Sequence, residues 1–241
     1  MDLGIDGKVA LVTAGSKGLG RATAIALAAE GVRVMLSGRD PGTLEAARVA
    51  VATRGGEADV CAGDVTDPEE PAHLVAATVE RFGRLDIVVA NAGGPPPGRA
   101  IDQSDEALGA AINANLLTSV RLVREALPHL RAAGWGRVCC ITSYTVQQAA
   151  PGLSLSNTAR AGLWAWVKTA AHDLASESSG ITVNMICPGP HATDRMLELG
   201  GTGVMGDPAD FGSVAAFLCS AQAGFVNGAA VVVDGGATLA L

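Results

Sequence analysis

Short apolar runs alternate along this chain with longer stretches whose apolar positions recur at helical spacing. Val9-Ala10-Leu11-Val12-Thr13 and Val32-Arg33-Val34-Met35-Leu36 read as the first two strands, with Arg21 to Glu30 and Pro41 to Thr53 as the helices that follow them. The rhythm continues through Asp59-Val60-Cys61, Asp86-Ile87-Val88-Val89-Ala90, Val138-Cys139-Cys140-Ile141, the run from Ile181 to Ile186, and Ala230-Val231-Val232-Val233. These runs lack the polar alternation of a half-exposed sheet, so helices must cover both faces. Seven such strands separated by helices predict an α/β fold, a doubly wound seven-stranded parallel sheet forming one domain over residues 1–241.

Open parallel sheets bind ligands at the carboxyl ends of their strands. Directly after the first run comes Thr13-Ala14-Gly15-Ser16-Lys17-Gly18-Leu19-Gly20, with a helix behind it. Glycines here let the backbone approach a pyrophosphate, and the helix start offers unpaired N–H groups and a positive dipole end. The sheet is therefore expected to be Rossmann-type, with Thr13, Gly15, Ser16, Lys17, Gly18, Leu19 and Gly20 as dinucleotide contacts. A glycine-rich turn with no ligand is the plainer alternative. The second strand ends at Ser37-Gly38-Arg39, where no acid stands to bind a free ribose 2′-hydroxyl, and Asp40 comes one residue late. Arg39 and Lys17 could flank a 2′-phosphate, which favours NADP(H) over NAD(H). Against that stands Arg39 as an ordinary solvated side chain.

Composition narrows the partners. The chain has 241 residues, 49% hydrophobic and 17% charged, with a net charge of -7. The core is ample, and no basic run suits nucleic-acid phosphates, so a small-molecule substrate is expected. Cys61, Cys139, Cys140, Cys187 and Cys219 have neither metal-ligand pairing nor the density of a disulfide scaffold, and read as small apolar residues in a reducing compartment. His73, His129, His172 and His191 lack ligand spacing, so no metal is expected. No apolar run reaches the roughly 20 residues that span a bilayer, and no leader is evident at Met1 to Asp6. The expected location is cytoplasmic, away from membranes.

The glycine loop, Asp64-Val65 after the third strand, Asn91-Ala92-Gly93 after the fourth, Asn115, Ser143, Pro188-Gly189 and the closing Val232-Val233-Asp234-Gly235-Gly236 together resemble the short-chain dehydrogenase/reductase family over nearly the whole length. Ala14 and Gly15 depart slightly from its usual loop. The resemblance implies that Asp64 and Val65 hold the adenine. Asn91, Ala92 and Gly93 would shape the strand end near the ribose, and Pro188, Gly189 and Thr193 would border the nicotinamide. It also implies a homotetramer or homodimer and a carbonyl/alcohol substrate, in the manner of a 3-oxoacyl reductase. Asp64 could equally cap the helix after Pro68, and Asn91 could simply form a turn.

The catalytic end departs further. The family carries a serine, a tyrosine thirteen positions on, a lysine four beyond that, and an upstream asparagine. Here Ser143 and Asn115 match, but Ser156 and Arg160 occupy the tyrosine and lysine places. Ser156 and Arg160 still form an i, i+4 pair on one helix face. A serine hydroxyl is a very poor acid near neutrality, and a guanidinium does not titrate in the working range, although Arg160 could still hold ribose hydroxyls. The single tyrosine, Tyr144, adjoins Ser143 and would face away from the site if the strand continued through both. The segment from Gly189 to Gly206 should be mobile. It is shorter than the family's usual lid, with Met196, Leu197 and Leu199 able to form one apolar turn before Gly200. Trp164 and Trp166 suit packing or subunit contact. Three functions follow: NADP(H)-dependent reduction of a carbonyl, NADP(H) binding without turnover as a sensor or structural subunit, and a non-redox activity on the same fold.

Overall fold

The computed structural model describes residues 2–198, 200–201 and 203–239. Its strands are β1 (Val9–Val12), β2 (Arg33–Gly38), β3 (Ala58–Ala62), β4 (Ile87–Ala90), β5 (Gly136–Ile141), β6 (Ile181–Pro188) and β7 (Ala230–Val233). They form one all-parallel sheet in the order β3-β2-β1-β4-β5-β6-β7. Parallel neighbours cannot be joined by hairpins, so each connection crosses a face of the sheet. The crossovers carry α1 (Gly18–Ala29), α2 (Pro41–Ala52), α3 (Glu70–Phe82), α4 (Asp105–Ile112), α5 (Thr118–Ala133), α6 (Ser154–Ser176), α7 (Asp194–Glu198) and α8 (Pro208–Leu218). The expected Rossmann-type, single-domain architecture is what the chain adopts.

Because successive strand residues point to opposite faces, each strand feeds two cores. Val9 and Leu11 join Leu74, Val123 and Leu163 beneath α3, α5 and α6, while Ala10 and Val12 join Leu27, Leu44 and Phe211 beneath α1, α2 and α8. Cys139, Cys140, Cys187 and Cys219 are buried within these layers, and Cys61 is half-buried. Trp164 and Trp166 are partly buried against the first core. No helix among the described residues is long and apolar enough to cross a membrane.

The strand order runs outward in both directions from β1, whose Val12 pairs with Leu36 of β2 and Val89 of β4. The carboxyl ends of these three strands therefore arrive side by side at the topological switch point. At the opposite end, Asp86 fixes the register. Its buried carboxylate accepts the Val9 N–H at 3.0 Å and a two-toothed bond from Arg84 at 2.6 and 2.8 Å, with Lys8 at 3.6 Å. Some boundaries differ from the sequence pattern. Helix α1 starts at Gly18, inside the glycine loop rather than behind it. The turn expected around Met196 and Leu197 is α7, while Leu199 lies outside the described residues.

Replacing Asp86 by alanine removes a charged acceptor from a buried N–H, a loss of about 2–3 kcal/mol. We expect Asp86→Ala to lower the melting temperature by about 4–12 °C for a domain of this size, as read by calorimetry. A change under about 1 °C would show that Asp86 does not hold β1 to β4.

Candidate functional site

The glycine loop is held open by the strands around it. Thr13 and Asn91 exchange hydrogen bonds across the ends of β1 and β4: the Asn91 N–H donates to Thr13 Oγ1 at 2.9 Å, and that hydroxyl donates to the Asn91 carbonyl at 2.8 Å. Asn91 Nδ2 also reaches the Ala14 carbonyl at 3.3 Å. Gly20 sits in the crook of this arrangement, where an added Cβ would lie 2.5 Å from the Ala14 carbonyl oxygen and 2.8 Å from Asn91 Nδ2. Ala14 itself adopts a left-handed φ of 45°, which costs a residue with a Cβ about 1–2 kcal/mol. Strain of this kind collects at functional loops.

Helix α1 then begins with Lys17 at its cap position and no side chain accepting its first N–H groups. By contrast, Asp40, Ser104 and Asp207 cap α2, α4 and α8. The orphan donors of Gly18, Leu19 and Gly20 are thus available to an anion. Lys17 and Arg39 are exposed beside this point, and neither has a salt-bridge partner among the described residues. Their fields are felt locally. Asp40 is held below the usual carboxylate range first by the Thr43 N–H, with Lys17 adding to the effect. Asp64 is lowered first by the Thr66 N–H, with Arg39 contributing.

Asp64 does not cap the following helix, as the sequence allowed. Its carboxylate accepts the Thr66 N–H at 3.0 Å and the Thr66 hydroxyl at 2.8 Å, closing a turn, while α3 begins only at Glu70. Val65 beside it is half-buried, and its carbonyl accepts the Thr118 hydroxyl at 3.2 Å. The same hydroxyl bonds the Asn113 carbonyl at 2.9 Å, five residues back, within a π turn spanning Asn113–Leu117. Nothing in the sequence pattern announces this π turn. It carries Asn115, which is buried, with Nδ2 on the Ala111 carbonyl at 3.4 Å and Oδ1 without a partner. Helix α6 packs tightly on the turn, where a Cβ at Gly162 would stand 2.7 Å from Leu116 Cδ1.

Strand β5 stops at Ile141, and Ser143 caps a 3-10 turn, Tyr144–Val146, by accepting the Thr145 N–H at 3.2 Å. The strand alternation used to turn Tyr144 away therefore does not apply there. Tyr144 is half-buried, and its hydroxyl has no bond among the described residues. The Ser143 hydroxyl, having accepted one bond, retains its proton for donation.

On α6, Ser156 is half-buried with no hydrogen bond to its hydroxyl, and Arg160 one turn later is buried at 8% exposure. Arg160 Nη1 donates to the Ile141 carbonyl at 3.3 Å, while Nε is sealed from solvent without a partner. Beneath it lies Cys187 of β6, whose thiol meets the Thr142 hydroxyl at 3.3 Å. Sequence reasoning missed both of these neighbours. Burial pushes the Cys187 thiol upward, with Thr142 and Arg160 opposing. Burial also pushes the Arg160 guanidinium down to about 10. No hydrogen bond links Ser143, Asn115, Ser156 and Arg160 to one another among the described residues, although α6 packs against the turns that carry the first two.

The segment after β6 closes the far side. Pro188 and Gly189 are buried, and the buried ring of His191 has Nδ1 3.0 Å from the Gly189 carbonyl and stacks edge-on against Phe211 at 5.3 Å. The Gly206 N–H reaches the Pro190 carbonyl at 3.0 Å and the Ala192 N–H the Gly206 carbonyl at 2.9 Å, so the two ends of this segment are joined. Thr193 lies beside Gly18, next to the glycine loop. Ala92 is half-buried and Gly93 exposed after β4.

A family model described as enoyl-(acyl carrier protein) reductase matches residues 13–238. The chain is 34% identical to a 3-oxoacyl-[acyl-carrier-protein] reductase of Synechocystis, over 95% of this chain and 96% of that protein. It is 32% identical to human dehydrogenase/reductase SDR family member 4, over 95% of this chain and 87% of that protein. Among solved structures, L-sorbose reductase from Gluconobacter frateurii, complexed with NADPH and L-sorbose, superposes with a TM-score of 0.94 at 29% identity over 100% of both chains. A 7α-hydroxysteroid dehydrogenase complexed with NADH and 7-oxo glycochenodeoxycholic acid gives 0.91 at 27% identity, over 98% of this chain and 96% of that one.

The buried guanidinium generates a test of stability. Its charged form is disfavoured in the folded chain, so stability rises as the pH climbs past about 10 toward the ordinary arginine range. At neutral pH both states are charged and the folded state carries the full desolvation penalty. An apolar side chain of similar length should therefore stabilise the ligand-free protein. We expect Arg160→Met to raise stability by about 1–3 kcal/mol and the melting temperature at pH 7 by about 2–8 °C. A fall in melting temperature would mean that the charge is already compensated.

Proposed function

The chain belongs to the short-chain dehydrogenase/reductase family, and we propose that it is an NADP(H)-dependent oxidoreductase acting on a carbonyl or alcohol, in the manner of a 3-oxoacyl reductase. The observation that carries this reading is the uncapped start of α1, flanked by the unpaired Lys17 and Arg39. In this reading the N–H groups of Gly18, Leu19 and Gly20 hold a pyrophosphate, and Thr13, Gly15 and Ser16 shape the loop. Lys17 and Arg39 take a 2′-phosphate, Asp64 and Val65 flank the adenine, and Asn91, Ala92 and Gly93 line the ribose. Pro188, Gly189 and Thr193 border the nicotinamide. The donor set fits the group, since orphan N–H groups and free cations match phosphates.

When bound, the dinucleotide supplies or accepts a hydride. The residues of this chain do the rest. Ser143 donates its free hydroxyl proton in a hydrogen bond to the substrate oxygen, and Asn115 holds the cleft wall through its turn. Ser156 orders a water that delivers the proton, because its own hydroxyl is too weak an acid to do so. Arg160 contributes fixed positive charge that favours a developing alkoxide. A second reading, dinucleotide binding without turnover, draws on Ser156 and Arg160 in the places of the family's tyrosine and lysine. A homotetramer or homodimer accompanies the proposal by family analogy.

Fluorescence titration separates these readings. NADPH is expected to bind at least 10-fold tighter than NADH, and the double change Lys17→Ala with Arg39→Ala to remove that preference, a loss of about 1–3 kcal/mol. Tighter binding of NADH would overturn the 2′-phosphate assignment. Consumption of NADPH over a carbonyl panel tests turnover, and Ser156→Tyr with Arg160→Lys is expected to increase it. Tight NADPH binding with no consumption on any carbonyl would favour the second reading.

A further inference from the structure

The loops that follow β4 and β6 differ in how they are held. The first carries Pro95-Pro96-Pro97, whose rings fix φ and leave three successive residues without an N–H. It is fastened at both ends. Asn91 is joined to Thr13, the Gly98 N–H donates to the Gly152 carbonyl at 2.7 Å, and the Gly98 carbonyl accepts the Ser154 hydroxyl at 2.9 Å. Between these points the prolines form a stiff strap. The second loop is joined to itself where Ala192 meets Gly206, and between them lies the short helix α7, followed by Gly200 and Gly203 with left-handed φ of 73° and 94°.

One hydrogen bond joins these two loops among the described residues. Arg195 of α7 donates from Nη2 to the Pro95 carbonyl at 3.3 Å, across 100 positions of sequence. The choice of partner is informative. Arg48 and Arg99 each pair with an acid three positions away, Glu45 and Asp102. Arg195 has Glu198 at the same spacing, yet it makes no ion pair among the described residues and directs its guanidinium to a neutral carbonyl. A pair with Glu198 would hold α7 only to itself, whereas the bond to Pro95 holds it to the strap. On the reading given above, Asn91, Ala92 and Gly93 line the ribose and Thr193 borders the nicotinamide. Pro95 stands two residues beyond Gly93, and Arg195 two beyond Thr193, so each end of the bond lies within about 7 Å of chain from a nucleotide contact.

We infer that Arg195 is a positioning residue that latches the loop after β6 onto the proline strap: its bond to the Pro95 carbonyl opens to let the nicotinamide half of the dinucleotide in or out, and closes again beside it. The inference rests on the dinucleotide reading and goes beyond it, since none of the residues assigned there to the cofactor makes this bond. The acceptor suits the task. A strap fastened at both ends and stiffened by three prolines keeps its carbonyl in one place, so the arginine returns to a fixed target. A lone hydrogen bond to a neutral acceptor is weak enough to break in every cycle of exchange, and it is less sensitive to salt than an ion pair would be. Because the latch closes in the same way with the cleft empty or filled, it governs the rate of exchange and leaves the affinity nearly unchanged.

The test follows NADPH association and dissociation with the full-length protein by stopped-flow fluorescence. Arg195→Ala is expected to raise both rates together by about 3–10-fold, the factor that one hydrogen bond of ordinary strength supplies, with the equilibrium affinity changing less than about 2-fold. The increase should be the same at low and high salt, and Arg195→Lys, which keeps the charge but loses the fork, should give a smaller one. The double change Pro96→Gly with Pro97→Gly loosens the strap without touching Arg195 and should raise both rates by itself. Combined with Arg195→Ala it should bring no further increase, because both changes open the same latch. A fall in the association rate alone would show that Arg195 attracts NADPH as a charge, and would overturn the inference. Additive effects of the strap and arginine changes would also overturn it, as would unchanged rates in Arg195→Ala, and either result would leave the dinucleotide reading intact. Failure of the unaltered protein to bind NADPH would overturn that reading and the latch with it.

Discussion

The reciprocal hydrogen bonds between Thr13 and Asn91 are the constraint on which the site depends. They lock the ends of β1 and β4, the two strands at the centre of the sheet order, and so fix where the glycine loop and the loop after β4 begin. Asn91 extends the lock to the Ala14 carbonyl, and Gly20 can sit in the first turn of α1 beneath it only because it lacks a Cβ. From this one junction the glycine loop and the loop after β4 set out. Asp86 performs the corresponding task at the amino ends of the strands, so the sheet is pinned at both edges of its switch point.

The fold was legible because its signals are redundant. Seven apolar runs, the intervening helical periods and the glycine loop each point to the same parallel sheet, and an error of a residue or two at any boundary leaves the topology unchanged. The start of α1 was misplaced because glycines weigh against helix in isolation, yet here close approach to Ala14 and Asn91 favours them in the first turn. The site was legible only in part. Residue types at fixed distances named Asn115, Ser143, Ser156 and Arg160, but their surroundings come from tertiary contacts. The π turn around Asn115 depends on Thr118 bonding back to Asn113 and across to Val65, a combination that no local propensity encodes. The end of β5 at Ile141 likewise depends on Ser143 capping the turn that follows, which undoes the facing argument for Tyr144.

Stability and site chemistry pull in opposite directions at two places. Ala14 holds a left-handed backbone that glycine would adopt more readily. Arg160 holds a charge that burial disfavours, next to Cys187, whose thiol is itself pushed toward neutrality. Arg137 shows that the same sheet can bury a guanidinium with its donors satisfied by carbonyls. The contrast is therefore local to the end of β5 rather than a general tolerance of buried charge.

The chemistry of that end follows from what its groups can and cannot exchange. The chain has one tyrosine, and it precedes the helix that carries Ser156 and Arg160 rather than lying on it. A hydroxyl of serine stays protonated throughout the physiological range, and a guanidinium near 10 stays charged across it. Neither can be tuned to hand over a proton at neutrality, which is the ordinary way a side chain serves as general acid. What the pair can supply is fixed positive charge and a directed hydrogen bond in a cleft partly shielded from water, where both act more strongly than they would in solution. Any proton must then come from outside this pair.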